Sequence, residues 1–256
     1  MPPGDLTVTA VVVTRDRPRL LEDALASVAA QSAPPLEVRI GNDGDAEVGV
    51  ALAALGGIAT TVIRTGASGP AAARNRAARG ARGEALAFLD DDDRWLAGHL
   101  ERLAAALADP GVALAFCDCA IVREATTAGG ARTELARRVI AHDWDDALMR
   151  HDDFIAPSAW IVRRTLFERL GGFDESFRYS EDWDFLLRAA SHTSPRRAPG
   201  VTVEIRLRES GNASADFGAE RLDCLRRLAA RHRLPPIEPK TFWEVADTVS
   251  RATGRA

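Results

Sequence analysis

Lysine is almost missing from this chain. Only one of the 33 cationic residues is a lysine, Lys240, and all the others are arginine. Arginine favours bidentate anion contacts, but its spread through every segment reads first as GC-rich coding. Cysteine is scarce too. Cys117, Cys119 and Cys224 are odd in number and form no C-x-x-C pair. That excludes a disulfide framework and a zinc site, and it suggests a reducing compartment. The five histidines (His99, His142, His151, His192, His232) are scattered without metal-ligand spacing. No apolar run approaches the roughly 20 residues of a membrane-spanning helix; Thr7–Val13 is far shorter. The start, Met1-Pro2-Pro3-Gly4-Asp5, lacks the basic and apolar regions of a signal peptide. The expectation is a soluble, cytoplasmic protein. With a net charge of −4, the whole-chain field does not draw in nucleic acid.

The chain does hold enough apolar material for a core, 46% of 256 residues, which fits one large domain. Thr7–Thr14 is apolar and β-branched and reads as a buried strand. Pro18 opens a helical pattern in which Leu20, Leu21, Ala24, Leu25 and Val28 share a face. Leu36–Ile40 is a second strand, Ala46–Leu55 a helix, and Ile58–Arg64 a third strand. Gly69-Pro70 opens a helix through about Arg79, and Leu86–Leu89 is a fourth strand. This alternation predicts an α/β fold, with a mostly parallel twisted sheet between helices.

Beyond it the pattern predicts helices over Leu100–Leu107, Leu166–Leu170 and Glu181–Ala190. Strands are expected over Val112–Val122, Ile155–Val162 and Val201–Leu207, with a loop or hairpin tip at Ala125–Thr133. Ala219–His232 and Phe242–Thr253 read as C-terminal helices. Arg221, Arg226, Arg227, Arg231 and Arg233 could rest the first of these on anionic lipid, although a solvated face over an apolar stripe is the ordinary explanation.

In such a sheet ligands bind beyond the carboxyl ends of the strands. Thr14-Arg15-Asp16, Asn42-Asp43-Gly44, Gly66–Gly69 and Asp90-Asp91-Asp92-Asp93 all fall there. Adjacent carboxylates repel one another and are stabilised by a cation; oxygen ligands suit Mn²⁺ or Mg²⁺. The alternative is a solvated acidic loop. Asp43 could accept an N–H such as that of uracil, or serve only as a turn former. Arg74 could reach a phosphate or base, or form a salt bridge. Ser180 is a good N-cap, and Glu181 and Asp182 suit the start of a helix; Asp182 could also be a general base. Trp183 could floor an acceptor site or pack in the core. His151-Asp152-Asp153 reads as surface.

Taken together and in this order, the motifs resemble family 2 glycosyltransferases, the inverting group with the GT-A fold. Val11–Pro18 is similar to their first strand and turn, and Asn42-Asp43-Gly44-Asp45 to their Asp-Asp-Gly-Ser. Gly69…Ala73-Arg74-Asn75 is similar to their Ala-Arg-Asn helix, and Phe88–Asp93 to their Asp-x-Asp motif. Gly171–Glu175 with Glu181-Asp182 is similar to their acceptor loop and catalytic pair. The likeness covers about residues 6–215.

It implies a nucleoside diphosphate sugar as donor, UDP favoured, and a hydroxyl acceptor. Residues 1–115 would form the nucleotide half, 116–215 the acceptor and catalytic half, and 216–256 a helical extension. Asp182, beside Glu181, would deprotonate the acceptor, and Asp92 would hold Mn²⁺ or Mg²⁺. Thr14, Arg15, Asp43, Arg74, Asp90 and Asp91 would seat the donor. Arg206 or Arg208 would meet its phosphates where members often carry a His, because Arg206-Leu207-Arg208-Glu209-Ser210 stands there. Ser158, Trp160 and Trp183 would face the acceptor. A sugar nucleotidyltransferase would show a glycine-rich loop after the first strand, and Thr14–Pro18 has no glycine. A non-catalytic sugar- or nucleotide-binding relative is the remaining alternative.

Overall fold

The computed structural model describes residues 6–126, 132–209 and 212–252. Its first half is the expected alternation. β1 (Val8–Thr14), β2 (Glu37–Asn42), β3 (Thr60–Arg64) and β4 (Ala85–Asp90) lie parallel in the order β3-β2-β1-β4. Every residue of β1 is buried, as a central strand covered on both faces requires. Helices α1 (Pro18–Ala29) and α2 (Pro70–Ala78) each begin on a proline, whose fixed φ and missing N–H suit the first turn. α2 lies so close to β2 that a Cβ on Gly41 would stand 2.7 Å from the Ala73 carbonyl oxygen.

The second half is mixed. β5 (Arg94–Trp95) and α3 (His99–Ala106) lead to the long β6 (Leu114–Thr126), which β7 (Arg132–Ile140) pairs antiparallel. β8 (Trp160–Arg163) is antiparallel to both β4 and β6, and so joins the halves. α4 (Arg164–Arg169) and α5 (Glu181–Ala190) precede β9 (Arg196–Leu207), which runs parallel to β6 and antiparallel to β5. The full order is β3-β2-β1-β4-β8-β6-β9-β5. Under the joint lies an aromatic cluster in which Trp160 stacks on Phe185 at 5.3 Å, with Phe88 and Phe173 packed around them.

Two helices close the chain, α6 (Ala219–His232) and α7 (Phe242–Ala252). α6 buries Cys224, Leu225 and Leu228. α7 starts in a capping box: Glu244 Oε2 accepts the Thr241 N–H at 2.7 Å, and Thr241 Oγ1 accepts the Glu244 N–H at 3.2 Å.

Several expectations are corrected. Ala46–Leu55 is no helix; only Ala51–Leu55 winds, as a 3-10 turn. Gly49 weakens the segment, and Asp16 Oδ1 captures the N–H groups of Asp45 and Ala46. The strand expected from Ile155 starts at Trp160, because Pro157 lacks a ladder donor and Pro157–Ala159 form a 3-10 turn. Ser180 does not cap α5: its backbone is left-handed (φ 63°) and its side chain makes no capping bond. β6 continues into the expected loop at Ala125–Thr133 and β7 begins within it; residues 127–131 lie outside the described residues, as do Met1–Asp5, Ser210 and Thr253. No helix among the described residues is long and apolar enough to cross a membrane.

Candidate active site

Strand register sets the floor of the site. Thr14 pairs with Asn42 across β1 and β2, and Val13 with Asp90 across β1 and β4. Three chain turns therefore open at one edge. They border a cavity of about 960 Å³, lined by Thr14, Arg15, Asp43, Arg74, Asp90 and Asp92 from the first half. Glu181, Asp182, Trp183, Arg206 and Arg208 line it from the second. Asp91, Ser158 and Trp160 are not on its wall.

The acidic run divides by direction. Asp91 is buried beneath the floor, where its carboxylate accepts Thr14 Oγ1 at 2.6 Å and meets Arg17 Nη2 at 2.6 Å. Burial pushes its pKa up to about 7. Asp93 accepts Ser158 Oγ at 2.6 Å and the Arg206 N–H at 3.1 Å; burial, then the charges of Asp92 and Asp90, hold its carboxyl well above the carboxylate range. Asp90 and Asp92 stay partly open. Asp92 Oδ2 accepts both Arg17 Nη1 (3.0 Å) and Arg208 Nη2 (3.2 Å). Among the described residues, no group of three or more His, Cys, Asp or Glu is arranged to hold a metal ion.

Asp43 shapes the β3–α2 turn. Its Oδ1 accepts Thr65 Oγ1 (2.7 Å), Ser68 Oγ (3.3 Å) and the Ser68 N–H (2.8 Å), and Oδ2 accepts the Gly69 N–H (3.0 Å). Oδ2 thus accepts one of these bonds and Oδ1 three, which leaves Oδ2 the freer oxygen. Arg74 is a buried bridge, donating to Asp90 Oδ1 at 2.6 Å and to Glu181 Oε1 at 2.5 Å. It thus ties the first half to the start of α5. Arg206 is committed to Glu124 and Asp23. Arg15 is exposed on the cavity rim.

Glu181 is pushed up to about 7 by burial, against the pull of Arg74. Burial likewise raises Asp182, which lines the cavity half-buried and accepts the Trp183 N–H at 2.9 Å. Asn75 fixes the preceding loop: its side chain donates to the Phe173 carbonyl and accepts the Phe173 N–H. Gly172, at φ 71°, is obligatory there, because a Cβ would stand 2.4 Å from Asn75 Oδ1. Trp183 donates Nε1 to the Met149 carbonyl and presents only part of its ring. Ser158 is fully buried, bridging the Asp90 N–H and Asp93, and Trp160 is fully buried in the aromatic cluster.

The sequence reading missed part of this wall. Asp152, expected at the surface with His151 and Asp153, is buried and takes Lys240 Nζ at 2.7 Å on both oxygens. Asp153 lines the cavity, and burial followed by the nearby charge of Asp182 holds its carboxyl well above the usual range. Residues of α6, α7 and their linker also line the cavity. The arginines of α6 bond within the chain: Arg227 donates to Ser176, Arg231 pairs with Asp174 and Asp184, and Arg226, exposed, pairs with Asp223 of its own helix.

The family model for glycosyl transferase family 2 matches residues 9–171. The chain belongs to that family. The uncharacterized glycosyltransferase YwdF of Bacillus subtilis (strain 168) is 31% identical over 239 residues, 93% of this chain and 88% of its own length. Among solved structures, the mannosyltransferase PcManGT from Pyrobaculum calidifontis, in complex with GDP-Man and Mn²⁺, aligns with a TM-score of 0.62 at 21% identity. That alignment covers 97% of this chain and 75% of the other. S. aureus TarS 1-349 in complex with UDP-GlcNAc gives 0.62 at 17% identity, over 95% of this chain and 71% of that one. These likenesses establish the GT-A fold of this family 2 glycosyltransferase.

Proposed function

We propose that this glycosyltransferase moves a hexosyl unit from a nucleoside diphosphate donor, UDP foremost, to an acceptor hydroxyl with inversion. The observation that carries the reading is convergence: Asp43, Asp90 with Asp92, and Asp182, from three separate chain segments, border one cavity. Asp43 offers Oδ2, its freer oxygen, to a base N–H. Thr14, Arg15 and Asp90 frame the nucleoside and its phosphates. Arg74 and Asp91 hold that frame from beneath, through Asp90 and Arg17. Arg206 and Arg208 flank the diphosphate.

The donor set suits a hard cation. Both arginines use Asp92 Oδ2, which leaves Oδ1 without a partner among the described residues. One or two carboxylates plus substrate phosphates is an ordinary Mg²⁺ or Mn²⁺ environment. With Asp92, and Asp90 in support, the protein supplies that share and the diphosphate must supply the rest. A bound cation neutralises charge on the departing diphosphate.

Asp182 takes the acceptor proton as the hydroxyl oxygen bonds to the anomeric carbon. The bond from that carbon to the diphosphate oxygen breaks on the opposite face. One base on one face suffices, and inversion follows; glycoside hydrolysis would need a second facing carboxyl group. Glu181 positions α5 through Arg74, and Trp183 floors the acceptor end. Behind the wall, Ser158 braces the acidic turn and Trp160 packs in the aromatic cluster beside α5. Residues 1–115 act as the nucleotide half and 116–215 as the acceptor half, with 216–256 as an addition to the latter.

Calorimetric titration of UDP with Mn²⁺, then with EDTA, on wild type and Asp92→Asn tests the reading. Metal-dependent binding that the substitution weakens is expected. Binding of GDP or dTDP instead of UDP would overturn the role of Asp43. No binding of any nucleoside diphosphate would favour a non-catalytic relative.

A further inference from the structure

We infer that the acceptor carries an uncharged, apolar group beside its reactive hydroxyl, seated on a wall that the C-terminal segment adds to the cavity. The inference rests on Asp182 facing the acceptor, as proposed above. Leu225 of α6, Ile237 and Pro239 of the linker, and Phe242 and Val245 of α7 line the same cavity as Asp182. Leu225 and Val245 are buried, while Ile237, Pro239 and Phe242 are half-buried in front of them. A single half-exposed apolar side chain is ordinary. Several converging on the wall of a catalytic cavity make a binding surface.

The wall is pinned. Lys240, between Pro239 and Phe242, donates to both oxygens of Asp152 at 2.7 Å, and Arg221 Nη2 holds the Lys240 carbonyl at 2.7 Å. Asp152 adjoins Asp153, and both line the cavity together with Asp182. The linker is thus tethered near the proposed base. α7 is locked from behind, with Trp243 between the guanidinium groups of Arg123 and Arg138 at 4.1 and 4.2 Å.

The cations of this wall already have partners. Lys240 is committed to Asp152, and Arg221 to the carbonyls of Ser214, Asp216 and Lys240. Glu238, between Ile237 and Pro239 on the same stretch of wall, disfavours an acidic acceptor, so the group against Phe242 is uncharged.

The test compares methyl, phenyl and octyl glycosides, read as transfer and, by calorimetry, as binding to the UDP-loaded protein. Phenyl or octyl glycosides should bind and react at least about tenfold better than the methyl glycoside. Phe242→Ala should remove about a tenfold share of that preference and Ile237→Asn a smaller one, through acceptor KM, with UDP affinity retained as the sign of an intact fold. Phe242→Leu should keep most of it. A preference complete with phenyl assigns a compact aglycone; one that grows with chain length and with presentation in neutral phosphatidylcholine vesicles assigns a lipid tail. Equal behaviour of the three glycosides, or a preference that survives Phe242→Ala combined with Ile237→Asn, overturns the inference while UDP binding stands. Absence of UDP binding in the wild type removes the donor reading, and the inference falls with it.

Discussion

Arg74 is the most consequential side chain to remove. Its guanidinium is buried and lies between Asp90 and Glu181, with contacts of 2.6 and 2.5 Å. Arg74→Met keeps the volume and the apolar stem but strands both carboxylates. Breaking a buried pair from one side costs about 3–5 kcal/mol, because a charge is left uncompensated. Asp90 keeps some solvent and Glu181 keeps almost none, so most of the loss belongs to Glu181.

The loss depends on pH, with a definite sign. Glu181 already titrates near 7 in the folded protein, above its ordinary value of 4.5, with Arg74 pulling it down. A carboxyl raised on folding gives stability that is present below the unfolded value and lost as pH climbs through the folded one. Without Arg74 the folded value climbs further, so the variant keeps losing stability above pH 7, where wild type has levelled off. The gap between them should widen by up to about 1.4 kcal/mol per pH unit. Urea unfolding followed by tryptophan fluorescence at pH 6, 7 and 8 measures it. Adding Glu181→Gln should return part of the loss. A deficit under about 1 kcal/mol, equal at all three pH values, would refute the argument.

Asp182→Asn should lower kcat by about 10²–10⁴-fold while UDP affinity holds, and the acid limb of the wild-type kcat profile should lie above the ordinary Asp range because burial raises that carboxyl; a limb at the ordinary value would remove Asp182 as the base. His99 is fully buried, stacked on Trp95 and bonded through Nδ1 to Thr202, and burial lowers its pKa to about 3. The unfolded chain therefore binds the proton first, and stability should fall as pH drops from 6.5 toward 3, by up to about 1.4 kcal/mol per unit. In denaturant melts, His99→Phe should flatten that limb, and an unaltered slope would show that other groups set it.

The first half was legible because strand and helix there follow different hydrophobic periods, and prolines mark both helix starts. What escaped was set by competition for backbone donors. Ala46–Leu55 has helical composition, but Asp16, in a left-handed turn (φ 55°), takes the N–H groups of Asp45 and Ala46, where a helix would have to begin. Ile155–Val162 has strand composition, but Pro157 cannot join a ladder. The two-residue β5 and the charged β7 carry too little pattern to be read at all.

The site was legible in residue type and less so in direction. Asp90 through Asp93 look equivalent in sequence, yet burial alternates: Asp90 and Asp92 partly open, Asp91 and Asp93 buried. β4 ends at Asp90 and the chain turns there, with the Asp93 N–H donating to the Asp90 carbonyl at 3.1 Å, and this turn decides which carboxylates can meet a ligand. The inward pair needs internal partners, which Thr14, Arg17 and Ser158 supply. Ser158 therefore belongs to the scaffold of the acidic turn, although its position beside the acceptor half suggested a contact. The same logic explains the C-terminal wall. Nothing in Ile237, Pro239 or Phe242 announces a ligand, and the pair of Lys240 with buried Asp152 helps to bring them to the cavity. That pair joins the sole lysine of the chain to an aspartate 88 positions away, a link that neither periodicity nor motif spacing encodes.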